Sequence, residues 1–272
     1  MNDNQTDNNN NSRSGSSVLR RIILVIAIAV FCYSSFMLIK AFLEYKQGDD
    51  IYNNIQNQVL NTESSTSVTI EEEENIEVPF VYDHNQLLSI NSEGVGYLYI
   101  PSIDLRLPIV QSTDNEFYLS HTFDKTYNKN GCLFEDYRIT GGLSSTNVII
   151  YGHNMRNGSM FGQLPKYESE SFYMAEGHDS FFIYTGNKIM QYRIFSAYIT
   201  DAVSDTYSFN FSTKGSLQEY VGNMKALSIY YTGVNIEDVS QVVTLSTCMS
   251  YIPGSDQRFI VQGTYIGEAL LE

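Results

Sequence analysis

The 272-residue sequence has no tryptophan, three cysteines, five prolines, and 16 Lys and Arg residues against 31 Asp and Glu. The shortage of basic residues, a formal net charge of −15, argues against nucleic-acid binding, because neutralising phosphates takes clustered Lys and Arg. The acidic excess reads as a solvated surface. Cys32, Cys132 and Cys248 stand far apart, with no CxxC pair and no Cys/His cluster, which speaks against structural zinc and a disulfide framework. The glutamates at 71–74 lack the interleaved Gly and Asn/Asp turns of a calcium loop. These patterns assign no metal, and no organic cofactor is expected either. Without tryptophan, Tyr (21) and Phe (15) carry the aromatic load, and 43% hydrophobic residues suffice for a sizeable core.

Residues 1–21 are dominated by Asn, Asp, Ser and Gly up to Arg20 and Arg21 and read as a disordered tail. An unbroken apolar run, IILVIAIAVFCYSSFMLI at 22–39, closes at Lys40. Its length fits a transmembrane helix and exceeds a signal-peptide core. The small residues Ala27 and Ala29 lie in mid-run, where no signal peptidase site belongs, so 22–40 reads as a retained anchor. Arg13, Arg20 and Arg21 precede the run, while the charges after it are mixed. The positive-inside rule places the tail in the cytoplasm and the remainder outside the cell. Cys32 sits within the run, after Phe31 instead of a small residue, and is read as facing the membrane.

Phe42, Tyr45, Ile51, Ile55 and Val59 recur at helical spacing and predict an amphipathic helix. The polar stretch 61–77 reads as an acidic, solvated linker, which makes 41–78 helix plus linker and 79–272 the globular domain. A short helix is expected at 84–91. Strand-like runs rich in Tyr, Ile and Val follow at 95–100, 107–111, 131–134, 147–151, 181–184, 190–199, 239–246 and 258–265. Leu217, Tyr220, Val221, Met224 and Leu227 break that pattern with a helical period. Many short strands with a few inserted helices predict a mostly β, closed or nearly closed barrel.

Two of these strands deliver reactive groups at their ends. Val148-Ile149-Ile150-Tyr151-Gly152 leads to His153, and Val242-Val243-Thr244-Leu245-Ser246-Thr247 leads to Cys248. A group at a strand end is held by the sheet yet open to a groove. Arg258 opens the next strand, beyond a loop that contains Pro253 and Gly254. A thiolate that attacks an amide carbonyl, an imidazolium that protonates the leaving amine and a cation at the oxyanion form a coherent set for acyl transfer. Each piece also has a plainer reading: a buried thiol acting as a small hydrophobe, a structural histidine, a surface arginine. On pattern alone the chain is a possible Cys/His enzyme.

TLSTC at 244–248, followed by Arg258, resembles the active-site signature of sortases. YGHNM at 151–155, continuing as RNGSMFGQLPKY to Tyr167, resembles the class B branch, as do IPSIDLRLPIVQSTDNEFYLSHTF at 100–123 and GCLFEDYR at 131–138. The resemblance runs from about residue 80 to 266. It implies a closed barrel of about eight strands with N-terminal helices and a helix before the cysteine strand. It also implies a single-pass membrane enzyme facing outward. The activity implied is cleavage of a C-terminal sorting signal on secreted proteins through a Cys248 thioester, and transfer to an amine of the peptidoglycan precursor or a pilin. His153 would be the acid/base and Arg258 the substrate and oxyanion contact. Leu245, Ser246, Thr247, Asn154 and Tyr231 would line the substrate groove. Tyr97 stands where many relatives carry Trp, and the 249–257 loop, variable in the family, transfers no specificity. His121 and Cys132 read as structural, while His84 and His178 show no partner in sequence. Asp256 either orients the Arg258 guanidinium or is a solvated loop acid. A cysteine peptidase and an inactive wall-binding module are the competing classes. Nothing like C-G-[SA]-C-[WY] supports the former, and the joint presence of Cys, His and Arg at motif positions opposes the latter.

Overall fold

The short β-branched and aromatic runs pair edge to edge until the sheet closes on itself, which leaves no free strand edge within it. The computed structural model describes residues 12–61, 66–70, 74–249 and 256–271. The chain divides into two units after Lys46.

Helix α1 (Ser12–Val59) begins inside the stretch expected as a polar tail and runs on through the apolar segment; residues 1–11 lie outside the described residues. In the N-terminal unit its apolar side chains are uncovered on every side, Phe31 and Leu38 at 72% and 73% exposure. With a mean hydropathy of 2.7 in its most apolar window, this helix is long and apolar enough to cross a membrane. Cys32 is exposed on it.

In the second unit, the end of α1 buries Tyr52, Ile55 and Val59, the spacing that aligns side chains on one helix face. Strand β1 (Leu60–Asn61) pairs with β4 (Val81–Tyr82). Between them, β2 (Thr66–Ile70) and β3 (Glu74–Val78) form an antiparallel hairpin where a linker was expected. The β-branched residues of TSVTI favour extended backbone, a signal masked by the adjoining glutamates; residues 71–73 lie outside the described residues. Helix α2 (His84–Ile90) starts at Asp83, whose side chain accepts from Gln86 N at 2.9 Å.

The barrel comprises β5 (Gly94–Ile100), β6 (Leu105–Gln111), β7 (Leu133–Glu135), β8 (Asn147–Tyr151), β9 (Ser180–Thr185), β10 (Lys188–Asp201), β11 (Val242–Cys248) and β12 (Gln257–Leu270). Around the barrel the order is β10-β12-β11-β8-β7-β6-β5-β9. The β6–β7 and β8–β11 pairs are parallel and the others antiparallel. Tyr97, Tyr184, Tyr192, Phe181 and Phe161 are all fully buried, so tyrosine and phenylalanine provide the bulk that tryptophan would. A short α3 (Glu170–Tyr173) follows β8 in the chain.

Helix α4 (Lys214–Ala226) precedes β11 and begins in a reciprocal capping box between Thr213 and Ser216. It buries Leu217, Tyr220, Val221 and Met224 in a second cluster with Phe195, Tyr198, Val242 and Ile260. This cluster covers the outer face of β10, β11 and β12. Beneath it, Gln262 Nε2 donates to Tyr220 Oη (2.8 Å) and Thr244 Oγ1 (2.9 Å), and Thr244 Oγ1 bonds Asn147 Oδ1 (3.0 Å). A connected buried polar set of this kind locks strand register.

Candidate active site

Strand β11 alternates its side chains. Val243 and Leu245 enter the main core, while Val242 joins the outer cluster and Thr244 its polar network. The period of two therefore sends Ser246 and Cys248 to the outer face. Across the β11–β12 pair, Cys248 is the direct antiparallel partner of Arg258. Opposed residues share a face, with Cβ atoms roughly 4.5–5.5 Å apart. On the other side of β11, parallel pairing sets Tyr151 beside Ser246, and Gly152 N extends that ladder to Ser246 O at 3.1 Å. Gly152 cannot be larger, because a Cβ there would meet Leu133 Cδ2 at 2.5 Å and Phe161 Cδ2 at 2.6 Å. The next residue is His153, so sheet pairing carries the three predicted groups to one end of the barrel.

Cys248, His153 and Arg258 line one cleft of about 230 Å3, together with Asn115, Leu119, Phe134, Tyr151, Gly152, Ala202, Tyr207, Ser246 and Thr247. A second cleft, of about 320 Å3, lies beside residues 103–107 and holds neither Cys nor His. Cys248 is half-buried and unpaired, and Cys132 is fully buried and unpaired. Burial pushes the Cys132 thiol up to about 12, which keeps it protonated and unreactive.

The imidazole of His153 is fixed through Nε2, which bonds Leu119 O at 2.7 Å. A carbonyl oxygen only accepts, so Nε2 carries hydrogen and proton exchange falls to Nδ1. Asn154, the next residue, donates Nδ2 to Cys248 O at 2.8 Å and forms a bridge with Met160. Thr247 Oγ1 donates to Gly152 O at 2.7 Å. Two side chains thus tie the cysteine strand to the histidine turn.

Aromatic residues form the cleft wall. Tyr207 Oη and Ser246 Oγ lie 3.0 Å apart, and the Tyr207 ring stacks on Tyr151 at 6.1 Å between centroids. Tyr151 Oη donates to Asp136 Oδ2 at 2.9 Å, and Arg138 grips both carboxylate oxygens of Asp136 at 2.7–2.9 Å. Burial pushes the Asp136 carboxyl up, but the bonds from Arg138 and Tyr151 outweigh it and hold the group below its ordinary value. Burial also raises Tyr151 and Tyr207, so both phenols stay protonated and can donate hydrogen bonds.

Ser246, Thr247 and Asn154 gather at the cysteine and histidine. Leu245 is fully buried in the barrel core, and Tyr231 is 73% exposed beneath Lys225; neither lines the cleft. Asp256 is exposed, while Pro253 and Gly254 lie outside the described residues. Tyr151, Tyr207, Asn115, Leu119 and Ala202 line the cleft without having been singled out from sequence. Tyr151 sits inside the quoted histidine motif and was legible there. Tyr207 arrives from the connection between β10 and α4 with no motif to mark it. Among the described residues, no group of three His, Cys, Asp or Glu side chains could hold a metal ion.

Residues 98–266 match the model of the sortase domain family. Sortase B of Listeria monocytogenes is 29% identical over 251 residues, covering 92% of this chain and 98% of that protein. Sortase B of Staphylococcus aureus is 27% identical over 243 residues, covering 89% and 93%. A crystal structure of sortase B from Bacillus anthracis superposes with a TM-score of 0.67 at 27% identity, over 83% of this chain and 99% of that one. The barrel with its cysteine-bearing strand and the run of class B relatives agree, and the protein belongs to the sortase family, in its class B branch, as a cysteine transpeptidase.

Proposed function

We propose that the chain cleaves a C-terminal sorting signal on secreted proteins and joins the shortened protein to an amine of the cell wall, a peptidoglycan precursor being the acceptor. Cys248 Sγ gives its proton to His153 Nδ1 and attacks the scissile carbonyl, the leaving amine takes that proton from Nδ1, and a thioester remains. Arg258 stabilises the oxyanion of each tetrahedral intermediate. The acceptor amine then attacks the thioester, its proton passes through Nδ1 to the departing sulfur, and the thiol is released. The observation that carries this reading is the shared cleft of Cys248, Arg258 and His153, two of them directly paired across β11 and β12. Ser246, Thr247 and Asn154 hold the frame, and Tyr151 and Tyr207 offer an aromatic wall to an extended peptide.

By the positive-inside rule, Arg20 and Arg21 before the apolar segment support an orientation with the second unit on the outer face of the membrane, where wall precursors and secreted proteins meet. A pilin lysine is the other acceptor of matching chemistry.

The test uses the full-length enzyme and peptides copied from C-terminal tails that carry a motif, a hydrophobic segment and a basic end. Products are read by mass spectrometry with and without a glycine- or diaminopimelate-type amine. An amine-linked product and slow hydrolysis without acceptor are expected. Rapid hydrolysis with no amine-linked product at any acceptor concentration would make the enzyme a peptidase.

A further inference from the structure

Helix α1 touches the histidine end of the cleft through one turn of chain. Tyr52 is buried near the end of α1, and its hydroxyl donates to Gly131 O at 2.5 Å. Gly48 lies four residues earlier, on the same helix face. A Cβ at position 48 would run into Asn130 Nδ2. Asn130 is itself fully buried, and among the described residues its side-chain amide atoms have no hydrogen-bond partner. Packing against Gly48 and a bond from its own N–H to Asn128 Oδ1 at 2.9 Å hold it in place.

The same turn faces the imidazole. Gly131 adopts φ +63°, backbone open to glycine at little cost. A Cβ there would lie 2.5 Å from Tyr118 O, 3.1 Å from Leu119 O and 3.1 Å from His153 Cδ2. Leu119 O is the acceptor for His153 Nε2. Cys132 N donates to Tyr118 O and Asn128 N to Ser120 O, both at 2.9 Å. Residues 128–132 are thus fastened to 118–120 on one side and to the helix residues Gly48 and Tyr52 on the other. His153 rests against the junction.

We infer that Gly48 and Tyr52 are positioning residues for His153, which hold the 128–132 turn so that the imidazole stays seated on Leu119 O with Nδ1 turned to the cleft. The inference rests on the assignment of His153 as the acid/base. The physical reason is leverage on orientation. A ring pinned through one nitrogen presents the other at a fixed angle, and a small loss of orientation weakens proton transfer without weakening substrate binding. The plainer account is that the Tyr52 hydroxyl merely satisfies its own burial, which predicts lower stability and unchanged chemistry.

The two accounts separate in the full-length enzyme in detergent micelles, with p-nitrophenyl acetate as acyl donor and triglycine as acceptor. Acetyl transfer to Cys248 Sγ releases p-nitrophenolate. The triglycine amine then attacks the thioester, and its proton passes through His153 Nδ1 to the departing sulfur. In Tyr52→Phe, the transfer rate at saturating triglycine should fall about fivefold to tenfold, the scale of one lost hydrogen bond. Half-saturation should stay within about twofold of wild type, a loss confined to the chemical step. The His153 Cδ2–Hδ2 cross-peak should move while that of His178 stays. Gly48→Ala, which displaces Asn130 by a different route, should act in the same direction and serves if Tyr52→Phe does not fold. Wild-type transfer with an unmoved cross-peak in these variants, or a loss matched by the unfolded fraction, would overturn the inference. Wild-type transfer by His153→Ala would instead overturn the assignment beneath it.

Discussion

Cys248 and Arg258 stand directly opposite each other across the antiparallel β11–β12 pair, with their side chains on one face of the sheet. The loop that joins the two strands lies mostly outside the described residues, yet its course does not set this relationship. Ladder pairing does, from Val242↔Thr264 to Cys248↔Arg258. The pairing fixes the backbone positions of the two residues on one face of the sheet, the arrangement that the proposed oxyanion role of Arg258 needs.

Cys248→Ala should abolish cleavage and labelling by a thiol-reactive sulfone, whereas Cys132→Ala should leave both nearly intact. Cys132 is fully buried with its thiol pushed up to about 12, so it offers no thiolate at neutral pH. Mass spectrometry of the labelled proteins checks this. Substantial turnover by Cys248→Ala would remove the proposed nucleophile.

Arg258→Lys preserves the charge but not the planar fork of donors. A single oxyanion donor is typically worth about 10²–10³ in rate, and the lysine variant should lose at least about tenfold of that in kcat/KM. Steady-state kinetics with a cleavable peptide is the measurement. An unimpaired lysine variant would place the oxyanion elsewhere in the cleft.

Asn154 Nδ2 is the side-chain tie between the histidine turn and the carbonyl of Cys248. Asn154→Asp turns that donor into a carboxylate facing a carbonyl oxygen, so it should cost more than Asn154→Ala. The alanine variant should lose about fivefold to tenfold in kcat, the scale of one hydrogen bond. Comparing the two variants in the same assay decides between a hydrogen-bond role and simple space filling, for which the near-isosteric Asp would be the milder change.

Glu135 should make folding stability fall as pH rises through the neutral range. It is fully buried on β7, and among the described residues neither carboxyl oxygen has a hydrogen-bond partner. Burial, with the neighbouring Asp136 adding to it, pushes the group from an ordinary 4.5 up to about 8. Between those values the folded chain holds a proton that the unfolded chain has released, so stability declines with rising pH across this window. Glu135→Gln, neutral at every pH, should remove that part of the slope. Thermal melts from about pH 5 to about pH 8 in both proteins test it, and identical slopes would exclude the effect.

Much of the architecture was legible because burial writes a period into sequence. The apolar runs that end at Tyr151 and Cys248 became β8 and β11, and the helical period of Leu217, Tyr220, Val221 and Met224 became α4. The hairpin of β2 and β3 was not legible, since its extended residues flank a glutamate run that by composition reads as linker.

Local sequence determined which residues could be reactive, a histidine and a cysteine each at the end of an apolar strand, and the apolar segment able to cross a membrane. It could not determine what surrounds them. Tyr207 meets Ser246 from a part of the chain 39 residues away, Leu119 O meets His153 across 34, and Tyr52 reaches Gly131 across 79. Leu245, adjacent to Ser246 in the motif, turns into the core because strand side chains alternate. Contacts between distant segments follow from barrel closure and register, which are collective properties of all eight strands, so they leave no local pattern in the sequence.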